Sequence, residues 1–250
     1  VNGIRAAIRK GFFEWLKDAN PDVLLIQETK AKPEQLDLSE AEKLGYRSFF
    51  HSADKAGYSG VAILTKLEPD NVEIGCSLSQ YDCEGRVLRA DFGKLSILST
   101  YFPSGSSGDI RQDFKMEFLE DFQGFVNELK QSRPNLVIGG DYNICHRPID
   151  IHNPVSNKNS SGFLPEEREW MTRFLESGFI DSFREVNGDV PDQYSWWTYR
   201  FNARAKNLGW RIDYNMVSKP LAESIVKAGI LSDVFHSDHC PVSLELDLND

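Results

Sequence analysis

Several apolar runs in this 250-residue chain stop at side chains that packing alone would not select. Residues 23–26 run into Gln27-Glu28-Thr29, and residues 136–138 pass through Gly139-Gly140 into Asp141-Tyr142-Asn143. Residues 95–100 end at Tyr101-Phe102-Pro103, while Ile212-Asp213-Tyr214 and Ser237-Asp238-His239 add two acids and an imidazole. If these strand ends meet at one edge, they assemble an oxygen-rich cluster suited to a hard cation such as Mg²⁺, which prefers carboxylates and keeps several waters. Such a cluster suits phosphoryl transfer. A metal on the phosphate oxygens neutralises developing charge, an acid or amide orients the attacking water, and a nearby donor stabilises the transition state. Taken singly, Glu28 also reads as a cap, Asp141 and Asn143 as turn formers, Asp238 as a cap beside a surface histidine, and Tyr101 as packing. Their joint occurrence points to the chemistry. Asp238-His239 with a serine would make a Ser/His/Asp hydrolase, but no G-x-S-x-G elbow accompanies them.

A second constellation lies at 194–214, YSWWTYRFNARAKNLGWRIDY, which holds three of the five tryptophans with Arg200, Arg204, Lys206 and Arg211, opposed only by Asp213. Basic side chains among aromatics suit a surface that meets phosphates with its charges and unstacked sugar or base faces with its rings. Trp197 and Tyr199 read equally well as core strand residues, whereas Trp196 and Trp210 are the candidates for the surface. Arg5, Arg9 and Lys10 form a further basic patch at a helix start.

The elements that must position these residues show as short β-rich runs at 23–27, 60–65, 87–92, 95–100, 136–139, 212–217 and 242–246. Helical patterns fall at 11–19, 114–131 and 165–177, the last opening Pro165-Glu166-Glu167 as a helix start should. Strands interleaved with helices imply an α/β or α+β fold with two sheets sharing a core. No repeat, low-complexity tract or compositional break divides the chain, so one domain over 1–250 is expected, its first strand beginning before Val1.

The net charge of −10 argues against a polyanion held by overall charge, so any nucleic-acid grip must be local. Carboxylates that hold a cation reverse the local field and reconcile an acidic chain with a phosphodiester substrate. The four cysteines show no C-x-x-C pair and no zinc-type spacing, which points to free thiols in a reducing compartment. No apolar run reaches the roughly 18 to 20 residues of a membrane span. A cytoplasmic protein without membrane association is the expectation.

The strings QETK, GYSGVA, YFPSG, GGDYN, NARAKNLGWRIDY and SDHCPV, in this order, resemble the exonuclease III family of abasic endonucleases, over residues 1 to about 246. The resemblance implies a four-layer αββα sandwich of two mixed sheets flanked by helices, like deoxyribonuclease I, with the site at one edge. It implies a metal-binding role for Glu28 and Asp238, and for Asp141 the acid that activates or aligns the attacking water. Asn143 becomes the amide that holds water and phosphate, and Tyr101 a phenol near the phosphate. His239, oriented by Asp213, becomes the imidazole on the scissile phosphate, and Asp141, Asn143 and His239 also count toward the metal site. Arg5, Lys10, Tyr58, Asn157 and Asn207 match backbone contacts to DNA, with Arg200 and Arg204 added from the basic segment. Trp196 and Trp210 match the walls of a pocket for a flipped abasic sugar.

The implied cofactor is Mg²⁺, with Mn²⁺ as a substitute. The implied partner is double-stranded DNA with abasic sites or blocked 3′ ends, met by a monomer. Three departures stand out. An asparagine that the family places immediately before Val1 is absent, Arg200 replaces an apolar wedge of the animal branch, and Ser160 replaces an amide after Asn157. Phosphoinositide phosphatases, sphingomyelinases and deoxyribonuclease I-like nucleases resemble the chain around GGDYN and SDH but would not explain NARAKNLGWRIDY. A DNA-binding relative without catalysis would not need the acids and histidine present here.

Overall fold

The computed structural model describes residues 1–248. Its larger sheet has six strands in the order β4 (Asn71–Ile74), β5 (Val87–Phe92), β6 (Leu95–Tyr101), β7 (Asn135–Asp141), β9 (Asp213–Ser218) and β8 (Phe179–Asp181). The sheet is mixed: β6 and β7 run parallel and the other pairs antiparallel. A parallel neighbour requires a long crossover, and α5 (Asp109–Ser132) supplies it. This helix buries Phe118, Leu119, Phe122, Val126 and Leu129, a stripe at helical spacing, and turns its acids outward.

The second layer is in two antiparallel pieces. One is β1 (Val23–Gln27), β3 (Val61–Thr65) and β2 (Arg47–His51), in that order; the other pairs β10 (Ile225–Ile230) with β11 (Val242–Leu246). The mixed character expected of both sheets thus belongs to the six-stranded one. β3 is buried at every position, as a Val-Ala-Ile-Leu-Thr run covered on both faces should be.

Three apolar clusters stack into four layers. Ile4, Phe12 and Leu16, from α1 (Ile4–Ile8) and α2 (Phe12–Ala19), pack with Ile26, Ala62 and Leu64 of the smaller sheet. Val61 and Ile63 meet Leu88 and Ala90 between the sheets. Phe102, Phe118, Phe122, Trp170 and Phe174 fill the space between the larger sheet, α5 and α6 (Pro165–Glu176).

The expected runs are all present, β1, β5 and β11 with the expected bounds and β3, β6, β7 and β9 with ends shifted by one or two residues, and β2, β4, β8 and β10 join them. All four lie at sheet edges; β2, β4 and β10 have exposed positions that dilute their apolar signal, and β8 is only three residues long. The most consequential shift is in β7, which continues through Gly139-Gly140 to Asp141 instead of ending at Gly139. A Cβ at Gly139 would lie 2.5 Å from Leu25 Cδ1, and one at Gly140 would strike the Thr100 carbonyl. The glycines therefore let neighbouring strands close against β7. Among the described residues no helix is long and apolar enough to cross a membrane.

Candidate active site

Strand register sets the centre of the site. Tyr101, Asp141 and Asp213 are Cα partners across β6, β7 and β9, one row at the ends of three hydrogen-bonded strands. Side chains paired in this way share a face of the sheet. Asp141 and Tyr101 are therefore strand residues held by the ladder, and the turn-former reading applies only to Asn143, whose φ is 52°.

His239 joins the row from the loop before β11. Its Nδ1 lies 2.9 and 3.1 Å from the two Asp213 carboxylate oxygens, and its Nε2 lies 3.9 Å from Asp141 Oδ2. Ligand atoms of Asp141, Asp213 and His239 all fall within 4.8 Å of one another. Burial works against the imidazolium, but the charge and hydrogen bond of Asp213 outweigh it and raise the His239 pKa to about 9. Burial, then the Asp213 charge, pushes Asp141 up to about 7, with His239 opposing. Burial and the neighbouring Glu28 and Asp141 charges hold the Tyr101 phenol well above its usual range, so it remains an O–H donor at neutral pH.

Asn143 is pinned from several sides. Its backbone N–H donates to Asp141 Oδ1 at 2.8 Å, and its Nδ2 donates to the Phe102 carbonyl at 2.9 Å and to Asp141 Oδ2 at 3.3 Å. Glu28 follows directly on β1 in the left-handed region, at φ 57°. For non-glycine residues such backbone costs energy and concentrates at functional sites.

Glu28 and Asp238 form a rim outside the three-residue cluster. Lys30 Nζ pairs with Glu28 Oε1 at 2.8 Å and donates to Asn2 Oδ1 at 2.6 Å; Asn2 Nδ2 in turn donates to Asp238 Oδ2 at 3.3 Å. Although burial opposes it, the His239 charge and donors from Ser237, Trp196 and Asn2 hold the Asp238 carboxyl below its usual range. This set of carboxylates and an amide oxygen fits a hard divalent cation, and such a charge would relieve the crowding felt by Asp141. With its Nδ1 committed to Asp213, His239 turns its Nε2 toward Asp141, the atom available for either of the two roles expected of it.

Trp196 and Trp210 reach the same edge through isolated bridges, Trp196 to Trp210 and Trp196 to His239. The Trp196 and Trp210 rings stand edge to face, centroids 5.9 Å apart, and Trp196 lies 6.5 Å from the His239 ring. Both tryptophans are half-buried, whereas Trp197 is core and Tyr199 exposed. Arg5, Lys10 and Arg200 are exposed, and Asn157 sits in the 153–160 loop with its Nδ2 on the His152 and Asn153 carbonyls. Tyr58 is half-buried, its hydroxyl meeting Arg86 and Arg111.

Three polar residues of the basic segment make contacts within the protein. Arg204 donates to the Ser237, Ser232 and Val234 carbonyls and stacks between Trp197 and Phe235. Asn207 accepts from Trp197 Nε1 and donates to the Asp192 carbonyl. Arg211 is buried against Asp150 and Asp181, at 2.8 and 2.7 Å. Their polar atoms hold irregular backbone in place, because a segment without ladder hydrogen bonds must find other partners.

Sequence reasoning passed over Arg86 and Lys30. Arg86 is buried, donates to the Tyr101 carbonyl at 2.8 Å and lies 5.2 Å from the Tyr101 ring. Lys30 closes the QETK string already singled out, so its signal was present. Phe201 was also missed: it is 79% exposed at φ 61°, where an aromatic serves no core.

Strand-end acids, an imidazolium and a phenol at the edge of a two-sheet sandwich define a hydrolase of phosphate esters. Residues 1–239 match the model of the endonuclease/exonuclease/phosphatase family, and the chain belongs to that family. It is 43% identical over 249 residues to the exodeoxyribonuclease of Bacillus subtilis (strain 168), covering 99% of this chain and 97% of that protein. It is 41% identical over 248 residues to the DNA repair nuclease APEX1 of Danio rerio, covering 98% of this chain and 80% of the other. An AP endonuclease structure from Archaeoglobus fulgidus superposes with a TM-score of 0.88 at 30% identity, covering 99% of this chain and 97% of that one. The family's hydrolysis is metal-dependent, in keeping with the acid cluster.

Proposed function

We propose that this chain, acting as a monomer and a single catalytic domain over 1–250, hydrolyses the phosphodiester 5′ to abasic sites in double-stranded DNA. A 3′→5′ exonuclease and 3′-phosphodiesterase activity on blocked 3′ ends would use the same centre, in the cytoplasm of a bacterial-type cell. The observation that carries this reading is the edge-to-face Trp196–Trp210 pair abutting His239. Two half-buried tryptophans beside the phosphate-handling cluster would wall a recess suited to a sugar that has lost its base, which is cheap to extrude, and too small for a normal nucleotide.

In this reading Asp141, fixed by the Asn143 backbone amide, takes a proton from the attacking water. Asn143 aligns that water. The His239 imidazolium, fixed by Asp213, neutralises a non-bridging phosphate oxygen, and the Tyr101 phenol donates to another. Glu28 and Asp238, with Asp141 and Asn143, would hold Mg²⁺, or Mn²⁺ in its place, which supplies Lewis-acid stabilisation of the phosphate. Arg5, Lys10, Tyr58, Asn157 and Arg200 would line the duplex backbone, while Arg204 and Asn207 would act by shaping the loop beneath it.

The test is incision of a labelled duplex carrying one tetrahydrofuran abasic analogue, with Mg²⁺ and with EDTA, beside the same duplex with an intact base. Metal-dependent cutting 5′ to the analogue is expected, falling about 10²- to 10⁴-fold in Asp141→Ala and in His239→Ala. Equal cutting of both duplexes would overturn the abasic reading and leave a general nuclease.

A further inference from the structure

Lys115 in α5 and Glu167 in α6 are both fully buried and form an ion pair at 2.6 Å, behind the site and outside the chemistry assigned above. Buried pairs are a poor route to stability, because desolvation cancels much of the attraction and an apolar pair of equal volume does as well or better. The remaining bonds of this pair go to the loops that carry the site.

Lys115 Nζ donates to the Asn143 backbone carbonyl at 2.8 Å. Glu167 Oε2 accepts from the Gly162 and Leu164 amides at 2.6 and 3.0 Å, and its Oε1 accepts from Gln112 Nε2 at 3.1 Å. Ser161, which follows the loop bearing Asn157, donates to Gln112 Oε1 at 2.7 Å. Gly162 is the hinge of the arrangement. At φ 95°, a Cβ there would come within 2.9 Å of the Trp210 ring and 3.1 Å of the Asn143 carbonyl oxygen. One ion pair thus grips Asn143 on one side and the backbone supporting Trp210 on the other.

We propose that Lys115–Glu167 is a positioning device that registers the water-holding Asn143 against the Trp210 wall of the pocket. Lys115 secures the left-handed backbone at Asn143 by its carbonyl, and Glu167 secures Gly162 beneath the tryptophan. Losing the pair lets the two sides relax independently. The chemical step and the preference for an abasic site then fall together, although neither residue touches substrate. The inference rests on the abasic reading above.

The experiment compares wild type, Lys115→Met, Glu167→Gln, Lys115→Arg and the double variant Lys115→Met/Glu167→Leu on the tetrahydrofuran and intact-base duplexes, with thermal unfolding of each. The single variants leave a lone charge buried and can fail to fold; the double variant removes both charges and keeps the volume. In the folded double variant kcat on the analogue is expected to fall about a hundredfold, the scale of an ångström of misplacement. KM is expected to change less than threefold, the abasic-to-intact ratio to drop, and Lys115→Arg to recover most of the rate. A cooperatively folded double variant with wild-type kcat and an unchanged ratio would overturn the inference, as would a rate loss wholly in KM or one that Lys115→Arg does not relieve. If no variant lacking the pair folds, the pair is a stability element and the inference falls. Wild-type enzyme that ignores the analogue would instead remove the abasic reading itself.

Discussion

Tyr101, Asp141 and Asp213 sit opposite one another on three hydrogen-bonded strands, whereas Trp196 and Trp210, at the same edge, belong to an irregular segment. In the first region the backbone ladder places the side chains, so a functional residue needs only the right position in register. In the second, long polar side chains replace the ladder: Arg204 on three carbonyls, Asn207 between Trp197 and Asp192, Arg211 on two buried acids. A cationic residue in an aromatic segment can thus be scaffold and not grip. Arg5, Arg9, Lys10 and Arg200 are exposed, and the outward faces of α5 and α6 carry Asp113, Glu117, Glu120, Asp121, Glu166 and Glu169.

Substitutions can separate the two modes of construction. The largest effect is expected at the ladder-borne centre: Asp213→Asn should lower kcat about 10²- to 10⁴-fold by releasing His239 from its orientation, with the fold kept, as single-turnover kinetics and thermal unfolding together would read. An equal loss in stability and rate would mean that the row is structural.

Next comes the scaffold beneath the irregular segment. Asp150→Asn, which leaves Arg211 and Arg184 with less compensation, should cost about 3–5 kcal/mol by urea unfolding. Burial opposes the Asp150 charge, but Arg211 and Arg184 hold its pKa below the usual range. With the folded pKa depressed, this carboxylate's stabilisation is fully present above the unfolded value of about 3.9 and is lost as pH falls through the folded one. The wild type should therefore lose stability below about pH 4 more steeply than Asp150→Asn does.

Trp210→Ala should reduce discrimination between abasic and intact duplexes on the order of 10- to 100-fold, the range a pocket wall can supply, and leave incision of a frayed 3′ end closer to wild type. Unchanged discrimination would move the pocket elsewhere. The smallest effect separates grip from scaffold among the basic residues. Arg5→Ala should lower the slope of log affinity against log salt by about one, whereas Arg204→Ala should weaken binding without altering the slope. Equal slopes in the two variants would remove the distinction drawn between them.

The acids, the histidine and the two tryptophans were legible in the sequence because each follows an apolar run or falls in an ordered string that packing alone does not require. The helices at 11–19, 114–131 and 165–177 were legible because their buried faces repeat at helical spacing, as Phe118, Phe122 and Val126 do in α5. The expected run stopped at Gly139, because the glycines Gly139-Gly140 carry no strand signal of their own. Only the approach of Leu25 and Thr100 shows that they keep β7 straight up to Asp141.

Composition and order determined which groups this protein has for phosphoryl chemistry and the sandwich that carries them, since side-chain type and hydrophobic period are local properties. Tertiary structure decided which groups meet. Register set Tyr101, Asp141 and Asp213 in one row, and packing set Arg204 on three backbone carbonyls and Arg211 on two buried acids. It also placed Lys115 under Asn143 from 28 residues away. Such pairings depend on desolvation and long-range geometry, which spacing along a chain does not encode.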